Sequence, residues 1–177
     1  IVIKYNGEVS NLEVKPITNA ILKGLVNRSI DGINMVNAPF IAKERGIEVQ
    51  ESTSNEVHEY TSTVQVQITS EKEARTVTGS IFGKGDSRIV QLDEYNMEAV
   101  LSKNMLVIKN IDVPGVIGNL GNVLGKNNLN IAGLHLGRQG EADKAVAIIN
   151  VDSPPSKEAL GELRDISHIV SVDSVSL

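Results

Sequence analysis

The spacing of apolar residues in the first part of the chain predicts two strands and a helix. Residues 1–5 and 8–14 are rich in apolar side chains, and Asn6-Gly7 between them is a favourable hairpin turn. Apolar residues then recur at every fourth position, which predicts an amphipathic helix that ends near Arg28. The residues that set this helical spacing are Ile17, Ile21 and Leu25.

Farther along, the pattern predicts a second helix and three strands. Asn37-Ala38-Pro39 can begin a helix, because proline fits the first turn, and Gly46 can end it. Residues 63–69 alternate between apolar and polar, as in a half-buried antiparallel strand, and strands are also predicted at 76–82 and 88–92. The first domain is therefore predicted to be α+β with an antiparallel sheet.

Beyond a polar link near residues 101–104, the pattern predicts the order βαββαβ. Strand 105–110 precedes helix 114–127, whose apolar residues form one stripe, and strands 129–138 and 144–152 follow. The remaining predicted elements are a helix capped by Ser153 with Pro154 at its first position, and a closing strand with Val170, Val172, Val175 and Leu177. We therefore expect two small domains, at 1–102 and 103–177.

Composition and charge exclude several classes of function. Without cysteine the chain has no disulfides, thiolate metal ligands or thiol nucleophiles. A net charge of −5 argues against nucleic-acid binding, which requires a basic surface. No apolar run approaches the ~20 residues of a membrane span. The first residues have neither an initiator methionine nor a signal-peptide layout, so we expect a piece of a larger cytoplasmic protein.

The glycines do not have the spacing of a nucleotide site. Gly115, Gly118, Gly121 and Gly125 lack the G-x-G-x-x-G spacing, and they lie in a predicted helix, where small residues permit close packing of the helix on the sheet. The segment 79–85 is one residue short of a phosphate-binding loop and lacks the Ser or Thr that must follow its lysine. We therefore expect no cofactor site, metal site or catalytic site in this chain.

The segment Asp112-Val113-Pro114-Gly115 has the strongest functional signal. Pro114 is expected in the first turn of the helix, and Gly115 leaves the start of the helix without a side chain, so a ligand can approach the backbone. Unpaired N–H groups and a partial positive charge at a helix start suit a carboxylate, and Asp112 suits an ammonium. Neighbouring sites for an anion and a cation fit an α-amino acid, although the same spacing also fits an ordinary turn before a helix.

Two sets of stretches carry resemblances to known families. The first set is Leu106–Gly118, Asn130–Ala132, Leu136–Arg138, Val151-Asp152 and Val170–Leu177. It resembles an ACT domain, a βαββαβ module of ferredoxin-like fold that senses amino acids. The second set is Asn37–Gly46, Gly79–Gly83 and Arg88–Gln91. It resembles the allosteric substrate-binding domain that precedes the ACT domain in the longer D-3-phosphoglycerate dehydrogenases.

This resemblance implies the regulatory region of such a dehydrogenase, an enzyme of serine biosynthesis whose NAD-dependent catalytic domain lies outside this chain. L-Serine then binds the ACT domain and inhibits the catalytic domain. ACT domains of this kind pair side by side, so the implied partners are L-serine, the upstream catalytic domain and further copies in a homodimer or tetramer. The implied serine-binding residues are Asp112 for the ammonium, Val113, Pro114, Gly115 and Val116 at the helix start, Asn110 beside them, and Asn130 from the partner subunit.

A second candidate site lies at a Gly-rich loop flanked by Lys84 and Arg88. Two cations and the loop amides suit phosphate or a 3-phosphoglycerate-like anion, although the pattern alone favours an ordinary hairpin turn with exposed charge. The resemblance places Arg88 in an anion-binding cluster between subunits. Val100 and Asn150 replace further cations of that cluster.

Two alternative functions remain open at this point. The β-type part of an iron–sulfur L-serine dehydratase uses a similar pair of domains, and the absence of cysteine does not exclude it, because the cluster ligands can lie on another segment. A structural dimerisation module with a vestigial amino-acid pocket is the other alternative.

Overall fold

The computed structural model describes residues 1–27, 32–57, 59–138 and 144–177, and it divides into two compact units, Ile1–Ile81 and Phe82–Leu177. The described elements are β1 (Val2–Gly7), α1 (Lys15–Val26), α2 (Ala38–Glu44), β2 (Gln50–Ser54), β3 (Ser62–Thr69), β4 (Ala74–Phe82), β5 (Asp86–Leu92), β6 (Tyr95–Val100), β7 (Asn104–Ile111), α3 (Val116–Lys126), β8 (Ile131–Arg138), β9 (Lys144–Val151), α4 (Lys157–Arg164) and β10 (Ile169–Ser176). The predicted α+β class is confirmed.

The first unit is a sheet with two helices. Its strands follow the order β4-β3-β1-β2, with β1 antiparallel to β3 and parallel to β2. β1 buries Ile3 and Tyr5 completely, and the Tyr5 hydroxyl shares a 2.7 Å hydrogen bond with Thr18 Oγ1 of α1. The predicted strands at 63–69 and 76–82 are confirmed within two residues, as are the helix between Asn37 and Gly46 and the strand at 88–92, which is β5 of the second unit. The predicted end of the first helix, Arg28, lies outside the described residues.

The predicted hairpin at Asn6-Gly7 is wrong. β1 continues through Gly7, a short 3-10 helix covers Glu8–Asn11, and the sheet neighbours of β1 are β2 and β3. Backbone contacts redirect the chain, because Glu8 N donates to Thr61 O at 3.1 Å and Val9 N donates to Ser62 Oγ at 3.1 Å. The turn is therefore set by segment 61–62, which is remote in sequence.

The second unit contains the βαββαβ order that the pattern predicts, from β7 to β10. The strands of the second unit follow the order β5-β6-β8-β9-β7-β10. One face of the ACT-like sheet packs against α3 and α4 around a buried aliphatic cluster that includes Leu106, Leu120 and Leu163. The opposite face buries Val146 and Ile148 against residues of β6.

Both helix starts in this unit differ from the prediction. α3 begins at Val116, so Pro114 lies in the turn before the helix rather than in its first turn, and Gly115 at the N-cap has φ 95°. The N-cap of α4 is Ser156, whose Oγ accepts a 3.1 Å bond from Ala159 N, and not Ser153. Pro155 explains the second difference, because a residue that precedes proline is disfavoured in helical geometry, so the helix cannot begin at Pro154.

The proposed packing role of the helical glycines is also wrong. A Cβ atom added at Gly118, Gly121 or Gly125 would meet no atom within 4 Å in the described structure. These glycines therefore do not allow close packing of α3 on the sheet, because the buried stripe of α3 consists of Val116, Leu120 and Leu124.

Candidate functional site

The end of β7 and the start of α3 form the first candidate site. Val113 N donates to Ile111 O at 3.0 Å, which turns the chain towards the helix. The first helical bond runs from Asn119 N to Gly115 O, so the amides of residues 116–118 precede it, and no side chain of the described residues caps them. Such amides and the helix dipole attract an anion, as predicted for the carboxylate of an amino acid.

Asn110 contributes a buried acceptor next to this turn. Its side chain is only 3% exposed, and its Nδ2 donates to Ile111 O at 2.8 Å. Its Oδ1 is buried and has no hydrogen-bond partner among the described residues. A buried polar atom without a partner is uncommon, which makes Asn110 Oδ1 a candidate acceptor for a donor from a ligand.

Asp112 already has a cation next to it. Arg138, the last residue of β8, places Nε 2.9 Å from Asp112 Oδ2, and its Nη2 donates to Oδ1 at 3.2 Å. Both carboxylate oxygens are therefore engaged by one guanidinium. Local sequence patterns predict no role for Arg138, because it lies 26 positions from Asp112 along the chain.

Asn130 is far from Asp112 within one chain. β7 and β8 both run antiparallel to β9, and therefore parallel to each other. The register places Asn110 and Arg138 opposite the same residue, Ala145, whereas Asn130 precedes β8 at the other end of the sheet. Eight residues of strand separate Asn130 from Arg138, roughly 25 Å at the usual strand rise.

At its own end of the sheet, Asn130 contacts an acid. Its Nδ2 donates to Asp152 Oδ2 at 2.8 Å, and Asp152 N lies 3.4 Å from Asn130 O. Asp152 is not among the site residues predicted from the sequence. The structure thus brings Asn110, Asp112 and the start of α3 together in one chain, and it does not bring Asn130 to them.

The second candidate site has its arginine already paired. Arg88 Nη2 donates to Asp86 Oδ2 at 2.6 Å and Nη1 donates to Glu98 Oε2 at 2.8 Å, while the guanidinium lies 4.5 Å from the ring centroid of Phe82. The hydrogen bond to Asp86 is the main cause that raises the pKa of Arg88 above its usual value. Lys84 is exposed in the loop between β4 and β5. An anion therefore competes with two carboxylates for Arg88.

We accordingly expect weak phosphate binding at this loop that strengthens when the competing acids are neutralised. The double substitution Asp86→Asn with Glu98→Gln should increase the phosphate-induced shifts of the amide signals of residues 83–89. Added salt should reduce these shifts, because the charges are partly exposed to solvent. Amide NMR titrations of parent and variant measure this directly. Equal shifts in both proteins, or shifts confined to Pro114–Gly118, would contradict an anion site at Arg88.

Metal and membrane sites are not found in the part of the chain that the structure describes. No group of three or more metal-ligating side chains occurs among those residues. None of the described helices is long and apolar enough to cross a membrane.

Comparisons with known proteins match both halves of the chain. A family model described as "D-3-phosphoglycerate dehydrogenase intervening domain" matches residues 1–93, and one described as "ACT domain" matches residues 104–168. The chain is 32% identical over its whole length to a D-3-phosphoglycerate dehydrogenase of Bacillus subtilis, covering 34% of that protein. Proteins of the same name from Archaeoglobus fulgidus and Methanocaldococcus jannaschii are 34% and 32% identical over 97% and 98% of the chain, which covers 33% of each. The chain thus spans about a third of the length of these relatives.

Proposed function

Because this chain belongs to the D-3-phosphoglycerate dehydrogenase intervening-domain family and has an ACT domain after that domain, we propose that it binds L-serine between two ACT domains and so regulates an NAD-dependent dehydrogenase domain of its parent protein. The domains we propose are residues 1–102 and 103–177. The observation that carries the proposal is the position of Asp112 and Asn130 at opposite ends of one ACT sheet.

The outer edge of β8 supports association with a second copy of this chain. β6 pairs with the edge of β8 at Asn96 and Arg138. By its last residue β6 has moved from this edge towards β9, because Val100 O accepts a hydrogen bond from Asn150 Nδ2 on β9. Among the described residues this leaves much of the β8 edge without a neighbouring strand, and two apolar side chains there, Ile131 and Leu136, are 39% and 41% exposed. An unpaired edge of this kind is a template for another strand.

A twofold arrangement of β8 joins the two half-sites. In a symmetric dimer with antiparallel β8 strands, the start of each β8 lies beside the end of its partner. Asn130 of one chain is thereby brought to the end of the sheet at which the other chain has Asp112 and the start of α3. Two identical sites result, and neither is complete in a single chain.

The proposed site matches the chemistry of L-serine group by group. Asp112 opposes the ammonium, and the free amides in the first turn of α3, from Val116 onward, can bind the carboxylate, while Val113, Pro114 and Gly115 form the turn that leads to them. The unpaired Oδ1 of Asn110 can accept a hydrogen bond from the ligand hydroxyl, and Asn130 of the second chain offers both a donor and an acceptor. Because the ligand contacts both chains, it stabilises their association.

Regulation follows if the two chains associate differently in the active and inhibited forms of the parent protein. A ligand shifts such an equilibrium only by its difference in affinity for the two forms. The intervening-domain match and the names of the relatives support a dehydrogenase parent over a serine dehydratase. A purely structural dimerisation module, in contrast, would show no response to serine.

We expect the chain to form dimers in solution, with L-serine tightening them. Sedimentation equilibrium at micromolar concentration should give a mass of roughly twice 19.0 kDa, and L-serine should lower the dimer dissociation constant because it bridges two chains. D-Serine is the matched control, since the inverted centre misplaces one of three contacting groups. A monomer with and without L-serine would contradict the interface site, and a dimer indifferent to L-serine would favour the structural module.

A further inference from the structure

The carboxylate proposed to hold the effector ammonium is already occupied by Arg138. Its guanidinium meets both oxygens of Asp112 through Nε at 2.9 Å and Nη2 at 3.2 Å, a two-point contact typical of a specific ion pair. An ammonium and a guanidinium beside one carboxylate repel each other, because like charges a few ångströms apart interact unfavourably even near solvent. The two cations therefore compete for Asp112.

We propose that Arg138 is a built-in competitor of the effector, which holds Asp112 in the unliganded chain and is displaced by the ammonium of the bound amino acid. This inference rests on the proposed serine site. Arg138 then acts as a positioning and affinity-setting residue, because an amino acid binds only if its own contacts exceed those of the internal pair. A ligand that lacks an ammonium cannot displace Arg138 in this way.

The surroundings of Arg138 allow its side chain to leave while its backbone stays. At the preceding Gly137, an added Cβ would lie 2.7 Å from Met97 Cε and 3.1 Å from Asn96 O, so the end of β8 is pressed against β6. The backbone of Arg138 also pairs with Asn96. Its side chain, by contrast, is 64% exposed in the single chain, so its own chain leaves it free to rotate away from Asp112. Displacement therefore requires a rotamer change and no movement of the strand.

The size of the effect follows from this exposure. Exposed ion pairs contribute little to stability, and their removal changes an equilibrium by about two- to fivefold. Arg138→Gln should therefore bind L-serine about two- to fivefold more tightly than the parent. The difference should shrink in high salt, which screens the pair.

Calorimetric titration of the full chain with L-serine tests this proposal. Lys126→Gln is the matched control, because Lys126 forms a 3.0 Å pair with Glu162 on the helices and its loss changes the net charge equally. Sedimentation checks that both variants keep the parent mass. An NMR signal gives a second readout. The Arg138 Nε–H signal is assigned because it is missing from the spectrum of Arg138→Gln. In the parent, this signal should move towards the position of free arginine as L-serine saturates the site.

The outcomes separate this inference from the function on which it rests. Tighter binding in Arg138→Gln, with Lys126→Gln unchanged, supports competition. If Arg138→Gln binds L-serine with the affinity of the parent, competition is overturned and the serine site stands. If it binds L-serine more weakly, competition is also overturned, and Arg138 is assigned to the ligand carboxylate instead. Absence of binding in both the parent and Arg138→Gln overturns the proposed function and the competition together.

Discussion

L-Serine at a hundred times its dissociation constant is expected to raise the melting temperature of this chain by about 5–10 °C, and Asp112→Asn should lose most of that shift. Saturation at this ratio adds about 2.7 kcal/mol to the folded state, and each kcal/mol corresponds to about 2–4 °C at this chain length. The substitution removes the charge that opposes the ligand ammonium and preserves the shape of the side chain. Differential scanning calorimetry measures both shifts.

A second acid serves as the control for this experiment. Asp173 is exposed on β10, outside the proposed site, and Asp173→Asn changes the net charge by the same amount. We expect it to keep the full response to L-serine. An undiminished shift in Asp112→Asn would remove Asp112 from the site, and no shift in the parent would leave the structural module as the better account.

The largest expected effect on stability is at Gly7, where Gly7→Ala should destabilise the first unit by about 2–5 kcal/mol. Gly7 has φ 78° and ψ −146°, a combination essentially restricted to glycine, and an added Cβ would overlap the carbonyl oxygen of Thr61. Neither the backbone of β1 nor segment 61–62 can yield without breaking sheet hydrogen bonds. The free energy of amide hydrogen exchange in β1 and β3 reports this loss.

Gly46→Ala is the control for a positive φ without overlap. Gly46 also has a left-handed φ, 71°, but an added Cβ there would meet no atom within 4 Å in the described structure. This variant should lose only about 1–2 kcal/mol, the contribution of strain. Equal losses at the two glycines would mean that the contact with Thr61 does not determine the turn.

The comparison at Gly7 also shows why parts of the fold could be predicted from the sequence and parts could not. Periodicity identified α1, α3 and β3, because each buries a regular stripe or face on a core. Asn6-Gly7 has the local chemistry of a hairpin, but the hydrogen bonds from segment 61–62 outweigh it. β2 had no signal, since four of its five residues are exposed. Tertiary contacts decide such segments, and a single sequence does not display them.

The same limit applies to the candidate site. A Pro-Gly turn ahead of a helix and an acid beside it are local signals, and they indicated the region around Asp112. Partners across strands are not local, so no local pattern indicated that Arg138 pairs with Asp112 or that Glu98 pairs with Arg88. Asp86 is different, because it lies two residues before Arg88 on the same strand and is therefore a local partner. The register of β7, β8 and β9 was needed to show that Asn130 lies at the opposite end of the sheet.

Mixing two inactive variants tests the central claim of a site shared between chains. Asp112→Asn and Asn130→Ala should each fail to bind L-serine, because every site in either homodimer lacks one residue. After subunit exchange of an equal mixture, each mixed dimer has one complete site, so calorimetry should show the parent affinity at about a quarter of the parent stoichiometry. If mixed dimers are shown to form and the mixture still binds no more L-serine than the two variants do separately, the shared site is contradicted.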